Sequence, residues 1–182
     1  MKFRDVNGDN KINGDDQIRL DHTRDPTFTG GMNINMQYKG FDCTILFQGA
    51  TGGLLFIGTQ SGDWGNYLQY AFDNRWSIEK PSSVDPRLPN RNNTYYSNGT
   101  AGNNTYWLRS SDYLRLKNVE LGYNISPSIL KGSGISNIRV FVGGVNLYTW
   151  DKMKIWDPES TSSSGQYYPQ ARILSFGARV TF

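Results

Sequence analysis

Apolar and polar residues alternate with a period of two at the end of the sequence. In residues 174–182 one parity is apolar, comprising Leu174, Phe176, Ala178, Val180 and Phe182. This pattern predicts a β-strand with one apolar and one polar face. The apolar parity includes the final residue, which is typical of an outer-membrane β-barrel whose last strand turns an apolar face toward lipid. A strand of a β-sandwich that happens to end the chain is the alternative for this segment alone.

Two earlier segments alternate in the same way and are separated by a two-residue turn signal. Residues 30–38 place their apolar side chains on one parity, and residues 41–48 do the same apart from Leu46. Lys39-Gly40 between them predicts a tight hairpin, because glycine readily adopts a positive φ. The opposite parity carries Asn, Gln and Asp, which suits a water-filled lumen. Strands of about nine residues also have the length that crosses a bilayer at a tilt.

Three more strands are predicted over residues 112–124, 137–150 and 172–182. Within the first of them the apolar parity switches near Asn118, which predicts a β-bulge. The second is rich in β-branched and aromatic residues, and its Tyr148 and Trp150 are predicted to belong to an aromatic girdle at the membrane interface.

The connections between the five predicted strands alternate in length. Lys39-Gly40 and residues 125–136 are short, whereas residues 49–111 and 151–171 are long. Bacterial outer-membrane barrels have short periplasmic turns and long outer loops, and the smallest have about eight strands. The sequence therefore predicts an all-β fold: about five C-terminal antiparallel strands of a large transmembrane β-barrel with long extracellular loops.

Composition and charge exclude several function classes. Charged residues are interspersed, the net charge is +3, and no basic run suggests nucleic-acid binding. Cys43 is the single cysteine and His22 the single histidine, so neither a disulfide framework nor a paired catalytic constellation is expected. We predict that the chain is not an enzyme. The first residues contain no apolar stretch typical of an export signal, so we expect the chain to be a fragment.

An acidic segment near the start has the spacing of a calcium-binding loop. Oxygen ligands at positions 1, 3, 5, 7 and 12 of such a loop would come from Asp5, Asn7, Asp9, the Lys11 carbonyl and Asp16. Position 6 is Asn10 instead of glycine, although asparagine tolerates the left-handed conformation. The sequence predicts a Ca²⁺ site here; the alternative is a solvated turn rich in Asp and Asn.

The long connection 49–111 concentrates aromatic residues among Gly, Asn, Ser and Thr. A short helix is predicted over residues 66–76, with Leu68, Phe72 and Trp76 on one stripe. Aromatic rings with polar tips suit half-wet binding surfaces. The candidate substrate-binding residues are Trp64, Tyr67, Trp76, Tyr95, Tyr96 and Trp107. The alternative is that these rings pack the loop against itself or form part of the girdle.

Several motifs occur together along the chain: DVNGD at 5–9, YKGFD at 38–42, YLRLKNV at 113–119, LGY at 121–123, NLYTW at 146–150, DPE at 157–159, Tyr168-Pro169 with Arg172, and the closing Phe182. In this combination they resemble the C-terminal end of the SusC/RagA family, the TonB-linked outer-membrane transporters of Bacteroidetes. The resemblance covers nearly the whole chain and is weakest in the long connection 49–111.

The resemblance implies a 22-stranded barrel in the cell outer membrane, with an N-terminal plug domain. It implies nutrient uptake: import of glycans or peptides coupled to TonB through the missing N-terminal part, together with a SusD-like lipoprotein. Residues 1–29 would form the calcium-loop-like segment and an outer loop, and residues 30–182 the strands and loops of the receptor barrel. The alternative function is a soluble, calcium-dependent carbohydrate-binding β-sandwich.

Overall fold

The computed structural model describes residues 3–58, 66–82, 84–88, 104–126, 128–160, 162 and 166–182. Its long strands are β1 (Phe28–Tyr38), β2 (Phe41–Thr51), β5 (Tyr113–Asn124), β6 (Asn137–Asp151) and β7 (Ile173–Thr181). Two short strands, β3 (Leu54–Phe56) and β4 (Leu108–Ser110), pair with each other. The helices are α1 (Gln69–Asn74) and two 3₁₀ turns, Gly14–Asp16 and Thr105–Trp107.

The five long strands form one antiparallel sheet in the order β1-β2-β5-β6-β7. Each strand therefore pairs with the next long strand along the chain, as the alternation and the connection lengths predict. The five predicted strands are confirmed, with ends that differ by no more than a few residues. Among the described residues β1 and β7 each pair on one side only, so the sheet is open.

The turn between β1 and β2 is the two-residue hairpin expected from Lys39-Gly40. Both residues have positive φ, 47° at Lys39 and 87° at Gly40. Positive φ at both central positions defines a type I′ turn, whose twist matches the twist of the paired strands. A Cβ atom at Gly40 would also lie 3.1 Å from the carbonyl oxygen of Asn124.

One face of the sheet is apolar across its full width. A single row of directly paired residues runs through all five strands: Met36, Cys43, Leu121, Val142 and Phe176. Apart from the half-buried Cys43, every side chain in this row is exposed. The only other sheet of the described residues consists of the two short strands β3 and β4. Within these residues no second sheet covers the apolar face, since its side chains are exposed. This single layer favours a barrel wall over the β-sandwich alternative, in which the apolar face would be enclosed.

The predicted bulge near Asn118 is confirmed by two shifts in register. Relative to β2, the strand β5 gains a residue opposite Leu46 and Phe47. Relative to β5, the strand β6 gains a residue opposite the segment between Leu116 and Asn118. Asn146 in β6 has a φ of 53°, which marks the bulged position. The bulges keep Leu116 on the apolar face although its sequence parity differs from that of Leu121.

The buried core of the described chain lies beyond the loop end of the sheet. Leu55, Ile57 and Met153 form its centre, with Tyr70 and Trp156 among the side chains packed around them. Helix α1 lies within the predicted 66–76 segment but ends before Trp76. No described helix has the length and apolar composition needed to span a membrane.

Candidate functional site

The polar face of the sheet carries two arginines that each contact two carboxylates. Arg115 lies near the loop end of the sheet, between Gln48 of β2 and Thr149 of β6. Arg139 lies at the opposite end, near the turn between β1 and β2, and pairs across the strands with Arg179. Each arginine thus forms the centre of an ion-pair cluster at one end of this face.

The Arg115 guanidinium binds the two acidic residues of the connection that follows β6. Its Nη2 lies 2.7 Å from Asp157 Oδ1 and its Nη1 lies 2.9 Å from Glu159 Oε2. Arg115 is only 1% exposed. A buried charge costs free energy unless an opposite charge neutralises it. The Arg115 guanidinium and the carboxylates of Asp157 and Glu159 therefore stabilise one another.

Further hydrogen bonds hold the same connection, which we call the strap and define as residues 152–160 and 166–172. The backbone N–H of Asp157 donates to the Tyr167 hydroxyl at 2.9 Å. Gln170 donates to Glu159 Oε2 at 3.2 Å and accepts from Lys117 of β5 at 3.2 Å. Burial raises the pKa of the Tyr167 phenol. The strap is therefore a folded element attached to the polar face.

Asp112, which lies just outside β5, joins three connections at the loop end. Its carboxylate accepts the Gly52 N–H at 2.8 Å and the Lys152 ammonium at 3.1 Å. Burial by itself raises the pKa of Asp112, but hydrogen bonds from Gly52 and Lys152 dominate and lower this pKa to about 2. The strap is thus fixed at its start as well as at Arg115.

The Arg139 cluster fills the other end of the polar face. The guanidinium binds Asp42 and Glu120, with an Nη2–Oε1 distance of 2.6 Å to Glu120. Asn124 also donates to Asp42 Oδ1 at 3.1 Å. Gly122 makes space for this arrangement, because a Cβ atom there would collide with the Arg139 guanidinium. The cluster has one positive and two negative side chains, and the neighbouring Arg179 supplies the second positive charge.

An aromatic cluster surrounds helix α1. Trp107 is 7% exposed and meets Tyr106 edge to face, with ring centroids 4.5 Å apart. The Tyr106 hydroxyl donates to Asp85 Oδ1 at 2.7 Å. Burial and this hydrogen bond raise the pKa of Tyr106. A small cleft beside α1 is lined by Tyr70, Pro86, Tyr106 and Trp107, among others.

The candidate substrate-binding aromatics divide into three groups. Trp107 is buried in the cluster, so its ring is a packing element in this conformation. Trp76 is 39% exposed, and its backbone N–H donates to the Pro86 carbonyl at 3.2 Å, which places the residue beside the same cluster. Tyr67 is half-buried just before α1. The others lie outside the described residues: Trp64, Tyr95 and Tyr96. Ligand contact remains a prediction for all six.

Tyr148 and Trp150 lie on the apolar face at the loop end of β6, where a girdle is predicted. Their ring centroids are 4.7 Å apart, and both side chains are about half exposed. Leu116 and Leu114 are their direct partners in β5. An aromatic pair at the end of an exposed apolar face is the arrangement expected at a membrane interface.

The acidic segment near the start forms a compact loop around its carboxylates. Asp5 accepts the N–H groups of Gly8 and Asn10, both at 2.7 Å. Asn10 has a φ of 63°, as position 6 of a calcium loop requires. Hydrogen bonds from the Asn13 and Val6 amides lower the pKa of Asp16. These hydrogen bonds fix the orientation of the Asp5 and Asp16 carboxylates.

Calcium binding by this loop stays a prediction. Among the described residues no group of three or more His, Cys, Asp and Glu side chains is arranged to hold a metal ion. The predicted ligand set also draws on the Asn7 amide and the Lys11 carbonyl, and Ca²⁺ accepts both kinds of oxygen. The donor chemistry of the loop therefore fits calcium.

Neither arginine cluster follows from the sequence pattern. Asp157 and Glu159 belong to the DPE motif and Arg115 to the YLRLKNV motif, and neither motif by itself indicates an ion pair. Alternation places Arg115 on the polar parity with Gln48, but it does not show which acidic residues approach it. Asp42, Glu120 and Arg139 all lie on polar positions of predicted neighbouring strands, so the register of the sheet is the signal that brings them together.

Comparisons with known proteins agree with this architecture. No protein-family model matches the chain. The chain is similar to TonB-dependent receptor P26 of Formosa agariphila, with 29% identity over 198 residues that cover 100% of the chain and 19% of the receptor. TonB-dependent receptor P3 of the same organism is 29% identical over 196 residues, covering 99% of the chain and 19% of the receptor. The chain thus spans about a fifth of the length of these curated relatives.

Solved structures give the same result at the level of the fold. The RagAB peptide importer in its open-open state matches 94% of this chain and 19% of its own, with 25% identity and a TM-score of 0.71. The closed-closed state of this importer gives the same coverage and identity and a TM-score of 0.72. These findings confirm the resemblance to SusC/RagA transporters and the barrel-type fold. All these relatives are receptors or importers, in agreement with the expectation that the chain has no enzymatic role.

Proposed function

We propose that this chain is a wall segment of a TonB-dependent transporter in the cell outer membrane. Residues 30–182 form strands and loops of its barrel, and residues 1–29 form an outer segment with a calcium loop. The whole transporter imports glycans or peptides, takes its energy through TonB and works with a SusD-like lipoprotein. Peptides are the substrate class to test first, because RagAB is described as a peptide importer.

The observation that carries this proposal is the exposed apolar row from Met36 to Phe176. Exposed apolar patches on soluble monomers are rarely this continuous. In a bilayer, antiparallel strands with an apolar outer face and a polar inner face are the stable β-architecture, because the backbone groups are satisfied by neighbouring strands. The opposite face carries Arg115, Arg139 and their carboxylates, which suits contact with water in a bore.

Cysteine labelling of the intact protein in its outer membrane tests which face meets lipid. Cys43 is first replaced by serine, and then Phe176→Cys and Ser175→Cys are made separately. Ser175 is the matched control because it is the adjacent residue on the same strand but faces the other side. We expect a water-soluble maleimide to label the Ser175→Cys protein and a lipid-soluble one to label the Phe176→Cys protein. Equal labelling of both by the water-soluble reagent contradicts the proposal.

Transport is tested by deleting the gene in its host and measuring uptake of labelled oligopeptides and oligosaccharides. We expect uptake of one substrate class to fall to the background level and to return when the intact gene is restored. Purification in mild detergent tests the partner, since a SusD-like lipoprotein is expected to copurify. Unchanged uptake of both classes in the deletion strain contradicts the transport function.

The acidic loop is proposed as a calcium site that stabilises the outer segment. Asp5, Asn7, Asp9, the Lys11 carbonyl and Asp16 would hold the ion. A bound Ca²⁺ supplies positive charge that offsets the mutual repulsion of the carboxylates. The support is the loop spacing, the left-handed Asn10 and the fixed orientation of Asp5 and Asp16.

A further inference from the structure

The strap is held at both of its ends, and its middle is attached to the polar face of the sheet. Lys152 binds Asp112 at its start. The Ala171 carbonyl accepts a hydrogen bond from Asn146 of β6 at 3.0 Å near its end. Asp157 and Glu159 bind Arg115 between these points. A long outer loop of this kind is expected to be mobile, whereas this one is folded back onto the wall.

Arg115 makes the central attachment of the strap, because its buried guanidinium contacts the carboxylates of both Asp157 and Glu159. The Glu159 N–H donates to Asp157 Oδ1 at 2.9 Å, so the two acidic residues are also fixed relative to each other. Pro158 between them is buried. A planar guanidinium that uses two nitrogens on two carboxylates defines orientation as well as distance. Loss of the guanidinium leaves two partly buried carboxylates without their counter-charge.

We propose that Arg115 is a positioning residue that fixes the strap on the polar face, so that the strap forms a permanent part of the substrate path. The proposal rests on the proposed function, since only a barrel wall makes the polar face the inside of a pore. Substrate entering this pore then meets the strap as a rigid surface. Because the strap is already ordered, it loses less conformational entropy on ligand binding than a mobile loop would.

The strap also presents one side chain suited to ligand contact. Tyr168 is 91% exposed. It lies between Tyr167, whose hydroxyl accepts the Asp157 N–H, and Gln170, which bridges Glu159 and Lys117. A ring held by a fixed backbone stacks on a sugar or a planar peptide group at little entropic cost. Arg115 acts on the substrate through this surface.

Protease sensitivity of the strap in outer-membrane preparations tests the anchoring directly. Lys152, Lys154 and Arg172 are the trypsin sites of the strap. We expect the Arg115→Met variant to be cut there at least about tenfold faster than the wild type, because cleavage follows local opening. Arg179→Met is the matched control, an exposed arginine on the same face but at the other end, and its strap is expected to stay protected. Wild-type protection of the strap in Arg115→Met overturns the proposal.

Two other variants separate positioning from a general effect on folding. Asp157→Asn combined with Glu159→Gln keeps the side-chain shapes but removes both charges, and it provides the test where Arg115→Met assembles poorly. Arg115→Lys keeps the charge but cannot orient two carboxylates at once. We expect both variants to give cleavage rates between those of the wild type and Arg115→Met. Cleavage of Arg115→Lys as slow as in the wild type contradicts an orienting role.

Uptake kinetics test whether the strap belongs to the substrate path. With labelled oligopeptides as the probe, we expect Arg115→Met to raise the half-saturating concentration several-fold and to leave the maximal rate per assembled transporter nearly unchanged. A released strap with an unchanged half-saturating concentration overturns its place in the path. Absence of uptake by the wild type contradicts the transport function itself, whereas the cleavage rates decide on the anchoring independently.

Discussion

Phe176 of β7 lies directly opposite Val142 of β6, and the two side chains are 92% and 52% exposed. Two large apolar residues paired across neighbouring strands and left uncovered require an apolar environment beside them. The row they belong to crosses every strand of the sheet.

Phe176→Arg is predicted to prevent stable insertion into the membrane. An arginine at the bilayer midplane of a barrel costs about 2–4 kcal/mol. We expect less folded protein in the outer membrane and a lower denaturant midpoint in lipid vesicles. Ser175→Arg, one position away on the bore side, is the control and should fold at the wild-type level. Equal losses in the two variants would argue against a lipid-facing Phe176.

Arg139→Met is predicted to destabilise the turn end of the wall. Asp42 and Glu120 would then face each other without a counter-charge. These ion pairs are partly exposed, so we expect a smaller loss of stability than for a fully buried pair. Denaturant unfolding in vesicles measures it. Adding Asp42→Asn to Arg139→Met should recover part of the loss, and an additive double mutant would contradict the coupling.

Asp112 is predicted to make the loop end sensitive to acid. Its folded-state pKa of about 2 lies below the ordinary value of 3.8. Ionised Asp112 therefore stabilises the folded loop fully above pH 3.8, and this stabilisation is lost as the pH falls through about 2. The hydrogen-exchange protection factor of the Gly52 amide, which corrects for the intrinsic pH dependence of exchange, should fall over this window. The Asp112→Asn variant should lack this pH dependence, and a wild-type profile in that variant would contradict the assignment.

Alanine substitutions of Trp107 and Trp76 are predicted to have different effects on the stability of the fold. Trp107→Ala empties a buried position and should cost about 3–5 kcal/mol of stability. Trp76→Ala removes an exposed ring and should change stability by no more than about 0.5 kcal/mol. If Trp76 contacts substrate, its removal raises the half-saturating concentration for uptake. Similar unfolding midpoints for the two variants would contradict this division.

Asp5→Ala is predicted to abolish tight calcium binding by the outer segment. Asp5 would supply the first ligand of the proposed site, and it accepts hydrogen bonds from the Gly8 and Asn10 amides. Terbium luminescence of the intact protein in detergent measures metal affinity, and we expect a loss of at least about tenfold, since affinity follows ligand charge. Asp25→Ala, outside the loop, is the control. Equal metal affinity in the wild type and Asp5→Ala would show that this loop is not the calcium site.

The strands were predictable because their signal is local. Alternation within residues 30–48 and 174–182 specifies both the strand and its apolar face, and Lys39-Gly40 specifies the hairpin. The parity switch near Asn118 even located the bulge. These features depend only on neighbours in sequence.

The two arginine clusters were not predictable, because their partners are distant in sequence. Arg115 and Asp157 are 42 residues apart, and Arg139 and Asp42 are 97 apart. Their contacts follow from the register of the sheet and from the folding back of the strap. The burial of Trp107 escaped prediction for the same reason, since its surroundings come from α1 and from residues 85–88.

The chain order of the sheet has a consequence for how the strands come together. β1 and β2 are joined by two residues and β5 and β6 by residues 125–136, so each pair forms a hairpin with a small loop-closure cost. The junction of β2 with β5 must enclose residues 52–112, and closure entropy grows with the length enclosed, by about 0.6 kcal/mol for each doubling. Two preformed hairpins are therefore expected to meet along the β2–β5 seam late in assembly. Substitutions at this seam, such as at Cys43 or Leu121, should slow folding more than equivalent changes inside either hairpin.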